Sequence, residues 1–125
     1  MITAYNGIRP TTGTAPDPGF GKASHVLRLP LIMRNYSLYG HTRNTTIHIQ
    51  NASPATAYVY VYFYWQDGSW EKYDGPYTIQ PGASIKLDQA DDEKLGEQEG
   101  FFIGTAMVYS VYQRPVVAIV NEVNT

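Results

Sequence analysis

Residues 58 to 65, Tyr-Val-Tyr-Val-Tyr-Phe-Tyr-Trp, alternate without a break between two kinds of side chain. Along a β-strand, successive side chains point to opposite faces. Val59, Val61, Phe63 and Trp65 therefore share one face, and Tyr58, Tyr60, Tyr62 and Tyr64 share the other. A helical period would scatter the four tyrosines around a cylinder, and β-branched and aromatic residues favour strands in any case. The Val/Phe/Trp face is suited to the centre of a hydrophobic core. The tyrosine face must meet a second sheet, a partner chain, a ligand or water.

The same pattern, taken along the rest of the chain, predicts more short strands. Residues 26–33 form an apolar strand in which Pro30, having no ladder N–H, belongs on an edge or at a bulge. Residues 35–44 are polar around Gly40 and predict a loop. Residues 45–50 alternate, with Ile47 and Ile49 inward and Thr46, His48 and Gln50 outward. Asp67-Gly68 marks a tight turn after the central strand. Residues 70–73 pair back as a short strand closed by Gly75-Pro76, and residues 77–79 form another, ended by a type II turn at Pro81-Gly82. Ile85 and Leu87 point inward from residues 84–88, and the acidic stretch 89–100 is a solvated loop with one helical turn over 91–95. Residues 101–111 form a strand interrupted or bulged at Gly104, Arg114-Pro115 turns the chain, and the wholly apolar run 116–120 suits a buried strand. About seven or eight short strands separated by Gly/Pro turns predict an all-β antiparallel sandwich, immunoglobulin-like or jelly-roll-like.

Residues 1–24 lack either hydrophobic period and carry Pro10, Pro16 and Pro18 among four glycines. They predict an N-terminal arm ahead of a sandwich domain over 25–125: a flexible leader, or an extended segment that adds a strand to a neighbouring sheet. Tyr5, Ile8 and Phe20 are the side chains that could anchor it.

At 125 residues the chain is one domain, large enough to build a core without metal or disulfide staples. It has no cysteine, which excludes thiol catalysis, thiolate metal sites and disulfides. A formal net charge of −2 gives no broad pull on nucleic acid or an anionic membrane surface. No apolar run approaches the roughly 20 residues of a membrane helix, so membrane insertion is not expected. No signal peptide is visible at the start; the chain is either not secreted by that route or a mature or excised segment with an added methionine.

The chain carries few residue patterns that mark chemistry. His25, His41 and His48 stand singly, with no metal-ligand spacing, and no GxSxG elbow or phosphate loop occurs. The acidic stretch lacks the spacing of an EF-hand, and nothing forces two of its carboxylates into one cleft. No catalytic residue, metal or cofactor is therefore assigned, and an enzyme is not expected. Asn35, Asn44 and Asn51 each open a glycosylation triplet. Tyrosine is the enriched feature, with eleven in the chain. Its ring presents a large area with few rotors to freeze, and its hydroxyl needs water or a partner. Tyr58, Tyr60, Tyr62 and Tyr64 would form a flat platform that Trp70 and Tyr73 extend, suited to a neighbouring subunit or to sugar rings.

Seven short stretches carry a family resemblance. Leu29-Pro30-Leu31-Ile32-Met33-Arg34-Asn35-Tyr36 is followed by Asn44-Thr45-Thr46-Ile47 and Ile49-Gln50-Asn51. Then come Asp67-Gly68 after an aromatic strand and Ile79-Gln80-Pro81-Gly82-Ala83-Ser84. The pattern closes with Phe102-Ile103-Gly104-Thr105-Ala106 and Gln113-Arg114-Pro115-Val116-Val117-Ala118-Ile119-Val120-Asn121. Together they resemble a domain of secreted surface proteins from filamentous thermophilic bacteria of the Chloroflexus group, over roughly residues 27 to 121. The resemblance implies an extracellular or cell-surface β-sandwich module, often beside others, and brings no catalytic residues. The tyrosine ladder and the long acidic stretch depart from that pattern, which has more Thr and Val on the central strand and a shorter loop.

These readings converge on a non-enzymatic structural or adhesive module that forms a homo-oligomer or packs on neighbouring surface domains, such as a filament subunit. The alternatives are a polysaccharide-binding module using the aromatic platform, and a phage or virus capsid decoration protein, which would account for the arm and the absent leader.

Overall fold

The computed structural model describes residues 2–6 and 23–124, and among them it contains nine β-strands and no α-helix. The strands are β1 (Ile2–Asn6), β2 (Val26–Arg34), β3 (Tyr36–Leu38), β4 (His41–Asn51), β5 (Ala57–Trp65), β6 (Trp70–Ile79), β7 (Ser84–Asp88), β8 (Phe102–Ser110) and β9 (Val116–Asn124). All pairings are antiparallel, in two sheets. The first runs β1-β9-β4, with β3 and β7 both on β4; the second runs β2-β8-β5-β6. The expected all-β sandwich is the observed architecture.

The central strand is where its alternation places it. Ala57, Val59, Val61 and Phe63 of β5 are buried to within 1% exposure, facing Ile47 and Ile49 of β4 and Val116, Ala118 and Val120 of β9. On β8, Phe102, Ala106 and Val108 join the same core. Phe102 meets Phe63 edge-on with ring centroids 6.0 Å apart and lies 4.8 Å from Trp65. Pro30 sits on edge strand β2 where the register slips between Leu29 and Ile32, so edge and bulge coincide. The turn at Gln80–Ala83 closes with Ala83 N–H donating to the Gln80 carbonyl, and Gly82 takes the φ of +77° that position needs.

Several local expectations are corrected. The polar stretch 35–44 is a hairpin, not a loop: Tyr39 and Gly40 both take positive φ, 53° and 78°, the two-residue turn that matches strand twist. Gly75-Pro76 does not end a strand. It sits in a bulge of continuous β6, between the pairs Val59–Tyr77 and Val61–Asp74. Gly75 has φ +115°, and a Cβ there would lie 2.6 Å from the Val59 carbonyl oxygen, so only glycine fits this close approach. Gly104 marks no interruption of β8 either; it is the flat spot where Tyr64 of β5 passes, and a Cβ would run into the Tyr64 carbonyl and the Phe102 ring. β9 alternates instead of being buried throughout, since Ile119 is 37% exposed.

Residues 89–100 are not a solvated loop. A 3-10 turn at Gln89–Asp91 opens the segment, Leu95 is fully buried in the core cluster, and Gly96 is buried beside it. Arg34 donates to the Leu95 carbonyl at 3.1 Å, and Glu71 accepts from Gly96 N–H at 2.7 Å and from the Trp65 indole at 2.8 Å. Thr45 donates to the Gln89 side-chain oxygen at 2.8 Å, in the buried interior. The segment thus closes one end of the sandwich with a leucine plug beneath a charged exterior.

Of the expected arm, residues 2–6 form β1, in register with β9 of the same chain from Ile2 opposite Val123 to Asn6 opposite Ile119. Tyr5 is opposite Val120; Ile8 and Phe20 lie outside the described residues. Ser24 makes an isolated bridge with Val116.

Two substitutions test this packing by urea denaturation. Gly104→Ala should cost about 3 kcal/mol, because backbone rather than a flexible side chain blocks the added methyl. Leu95→Ala should cost about 2–5 kcal/mol, as for a fully buried leucine; a change under about 0.5 kcal/mol would return residues 89–100 to the solvated loop of the sequence reading.

Candidate functional site

The outer face of the second sheet is built by β5 and its two neighbours. Register places Tyr58 beside Thr78 and Tyr62 beside Tyr73 on β6, and Tyr60 beside Tyr109, Tyr62 beside Met107 and Tyr64 beside Thr105 on β8. The bulge between Phe63 and Tyr64 lets Trp70 turn outward beside Tyr64. Tyr60, Tyr62, Tyr64, Trp70 and Tyr73 consequently form one connected aromatic patch, with ring centroids of touching pairs 5.6–6.4 Å apart. Tyr58 stands at its margin and meets Tyr112, 6.4 Å away, in an edge-on contact. The residues singled out for a platform therefore share one surface. Tyr109, Met107 and Tyr112 belong to the same face and were not singled out; Tyr109 and Met107 become visible only once β8 is known to lie beside β5.

The patch is neither buried nor fully bare. Trp70 and Tyr73 are 52% and 54% exposed and Tyr112 71%, while Tyr60, Tyr62, Tyr64 and Tyr109 are half-buried against one another. Burial, followed by the neighbouring phenols of Tyr60, Tyr73, Tyr109 and Tyr64, pushes the Tyr62 hydroxyl above its ordinary pKa. Tyr62 is thus the centre of a cluster of hydroxyls lying on a field of ring carbon. Arg28, opposite Met107 on edge strand β2, is the charged residue that strand register places on this face, and it is at the rim. Arg114 caps the far end over the Tyr112 ring, 5.2 Å from its centroid.

A concavity of about 560 Å³ opens between the free edges of β6 and β7, lined by Asp74, Tyr77, Lys86, Asp88, Asp91 and Asp92 over Phe63. Two of its carboxylates, Asp74 and Asp92, are held by one ammonium. Lys72 bridges Asp74 at 2.9 Å and Asp92 at 2.7 Å, and stands 5.7 Å over the Phe63 ring. Burial works against the Lys72 ammonium, but its bonds to Asp92 and Asp74 outweigh that and hold its pKa above the ordinary value. Burial raises the Asp74 carboxyl against the pull of Lys72, with Asp92 adding to the rise. Burial first, then the charges of Asp74 and Asp92, push the Tyr77 phenol up to about 12. This arrangement ties residues 89–100 to β6. No group of three His, Asp or Glu side chains among the described residues could hold a metal ion. No helix among them is long and apolar enough to cross a membrane.

The remaining sequence signals are structural in place. His48 is half-buried on the outer face of the first sheet, 3.4 Å from the Thr46 hydroxyl. Asn51 is fully buried and spends its amide on the carbonyls of Ala55 and Ile79, at 2.7 and 2.9 Å, so its triplet is inaccessible in the folded chain. Asn44 accepts from Asn35 N–H at 2.8 Å across the β3–β4 hairpin.

No protein-family model matches the chain, and no curated protein matches it. Among solved structures it is similar to the Anabaena sensory rhodopsin transducer, at 17% identity and a TM-score of 0.48, over 81% of this chain and 94% of that one. So loose an overlap carries no argument about function. The fold rests on the strand pairing itself.

Tyr77 and Lys72 keep their protons to higher pH in the folded chain than in the unfolded one. Their contribution is whole below their ordinary values of 10.0 and 10.5 and is lost as pH rises through the folded ones, about 12 for Tyr77. Urea midpoints should therefore fall as pH climbs from 10 toward 12, and Tyr77→Phe should flatten part of that fall. Equal slopes for the two proteins would remove Tyr77 from the account.

Proposed function

We propose that the protein is a non-enzymatic structural module that packs on copies of itself or on neighbouring domains through the outer aromatic face of its second sheet. The observation that carries this reading is the connected patch of Tyr60, Tyr62, Tyr64, Trp70 and Tyr73 on a surface rather than in a core. A contiguous apolar surface of this kind is rarely left bare on a monomer. Tyr and Trp are also the residues that protein interfaces concentrate at their centres. The resemblance of residues 27 to 121 to surface modules of Chloroflexus-type bacteria favours a module that works outside the cell, as a filament or adhesin subunit. Within that family reading, the tyrosine ladder is the departure that gives this chain its own contact surface.

A second reading takes the same face as a polysaccharide-binding platform. It is favoured by the ring-and-hydroxyl surface, on which sugar C–H faces can stack while hydroxyls exchange hydrogen bonds.

Affinity electrophoresis through gels cast with soluble polysaccharides, run beside light scattering, separates the two. The structural reading expects a mass above one chain of 14.0 kDa and unretarded migration. Retardation that Tyr60→Ala with Tyr62→Ala abolishes, in a protein that stays monomeric, would replace it with the polysaccharide reading.

A further inference from the structure

We infer that the occupant of the aromatic face is the same face of a second copy of this chain, in a closed two-fold pair. This rests on the structural-module reading and names its partner. Three independent features of the second sheet lead there.

Charge comes first. Strand register puts Thr78, Tyr73 and Trp70 from β6, the four tyrosines of β5, and Thr105, Met107 and Tyr109 from β8 on this face, with Arg28 at the rim. A charged partner would bury its charges at the centre of the patch with nothing there to pair them. A surface of neutral rings and hydroxyls is complementary to another of its kind, and in a two-fold contact each side presents the same patch. Hydroxyls from one copy can pair with those of the other, which answers the need of the crowded Tyr62 cluster for partners as water leaves.

Area is the second feature. Tyr58, Trp70, Tyr73 and Tyr112 are 37%, 52%, 54% and 71% exposed. With roughly 200 Å² for each whole side chain, these four offer on the order of 450 Å². The half-buried Tyr60, Tyr62, Tyr64, Tyr109 and Met107, with Thr78 and Thr105, carry the face toward the ~800 Å² per partner of a standard stable interface. One sheet face is therefore of the right size for one copy, with little area left for a larger assembly around it.

The edges are the third. A sheet with open edges extends by strand addition, and natural sheets block this with prolines, bulges and inward-pointing charges. Both edges of the second sheet are blocked in that way. β2 carries Pro30 inside its register slip, and β6 carries the Gly75-Pro76 bulge together with inward-facing Lys72 and Asp74. Contact through this sheet is thereby steered from its edges to its face. The outer face of the first sheet, by contrast, mixes Thr46, His48, Gln50 and Asn121 with Val117, Ile119 and Val123 and holds no aromatic patch among its described residues.

The test uses the full chain. Light scattering over a dilution series should give twice 14.0 kDa, returning to one chain on dilution. Tyr62→Lys with Tyr73→Lys places four like charges in the joint and should hold the protein at one chain at every concentration, with its strand-rich circular dichroism intact. Ile119→Lys, on the other sheet, should leave the pair unchanged. Because the chain has no cysteine, Met107→Cys with a short bismaleimide gives a second readout free of folding effects. It should cross-link to a dimer, and Ile119→Cys should not. A wild type that pairs while the double-lysine variant pairs equally, or cross-linking at Ile119 alone, overturns this inference and leaves assembly through another surface. A mass above two chains overturns the closed pair. A wild type that is monomeric throughout overturns the inference and self-assembly together, and leaves neighbouring domains as the contacts of the structural module.

Discussion

The strict two-residue period of β5 is the constraint on which the rest of this molecule depends. The strand lies inside its sheet, paired to β6 on one side and β8 on the other, so its side chains have two faces and no other outlet. Sending Val59, Val61 and Phe63 inward fixes the core, because β8 and β4 must then supply Phe102, Val108, Ile47 and Ile49 at matching heights. The same choice sends four tyrosines outward with no freedom to do otherwise. A slip of one residue would bury four phenols and expose the core, so the register that stabilises the fold also creates the surface.

Around that strand the chain makes local accommodations that aim side chains rather than stabilise the core. The bulge between Phe63 and Tyr64 brings Trp70 beside Tyr64, and the Gly75-Pro76 bulge lets β6 continue while Tyr60 passes opposite. Glu71, next to Trp70, turns back to hold the Trp65 indole and the Gly96 amide, tying residues 89–100 to the same hairpin. The β5–β6 hairpin therefore does two jobs: its inner side closes the sandwich, and its outer side completes the aromatic patch.

The period-2 signal of β5, the edge position of Pro30 and the turns at Gly68 and Gly82 were all legible in the sequence, because each follows from a local rule. The platform residues were legible too, since alternation alone assigns them a common face. What was not legible depends on a neighbour. Gly104 reads as a bulge in isolation and proves to be a clearance for the Tyr64 carbonyl on the neighbouring strand β5, far from it in the chain. Leu95, one apolar residue in an acidic stretch, gives no period from which burial could be inferred, yet it plugs the core. Tyr39-Gly40 was hidden because a tyrosine at positive φ is an uncommon way to make a hairpin turn. Tyr109 and Met107 join the platform only through strand order, which no local pattern encodes.

The central claim, that the outer face of β5 and β6 is where this protein meets another molecule of itself, is tested most directly by NMR at a series of concentrations. The account predicts concentration-dependent shifts at Tyr60, Tyr62, Trp70 and Tyr73, with the resonances of His48 and Ile119 on the opposite sheet unmoved. Shifts confined to His48 and Ile119, or a spectrum that does not change with concentration, would contradict it.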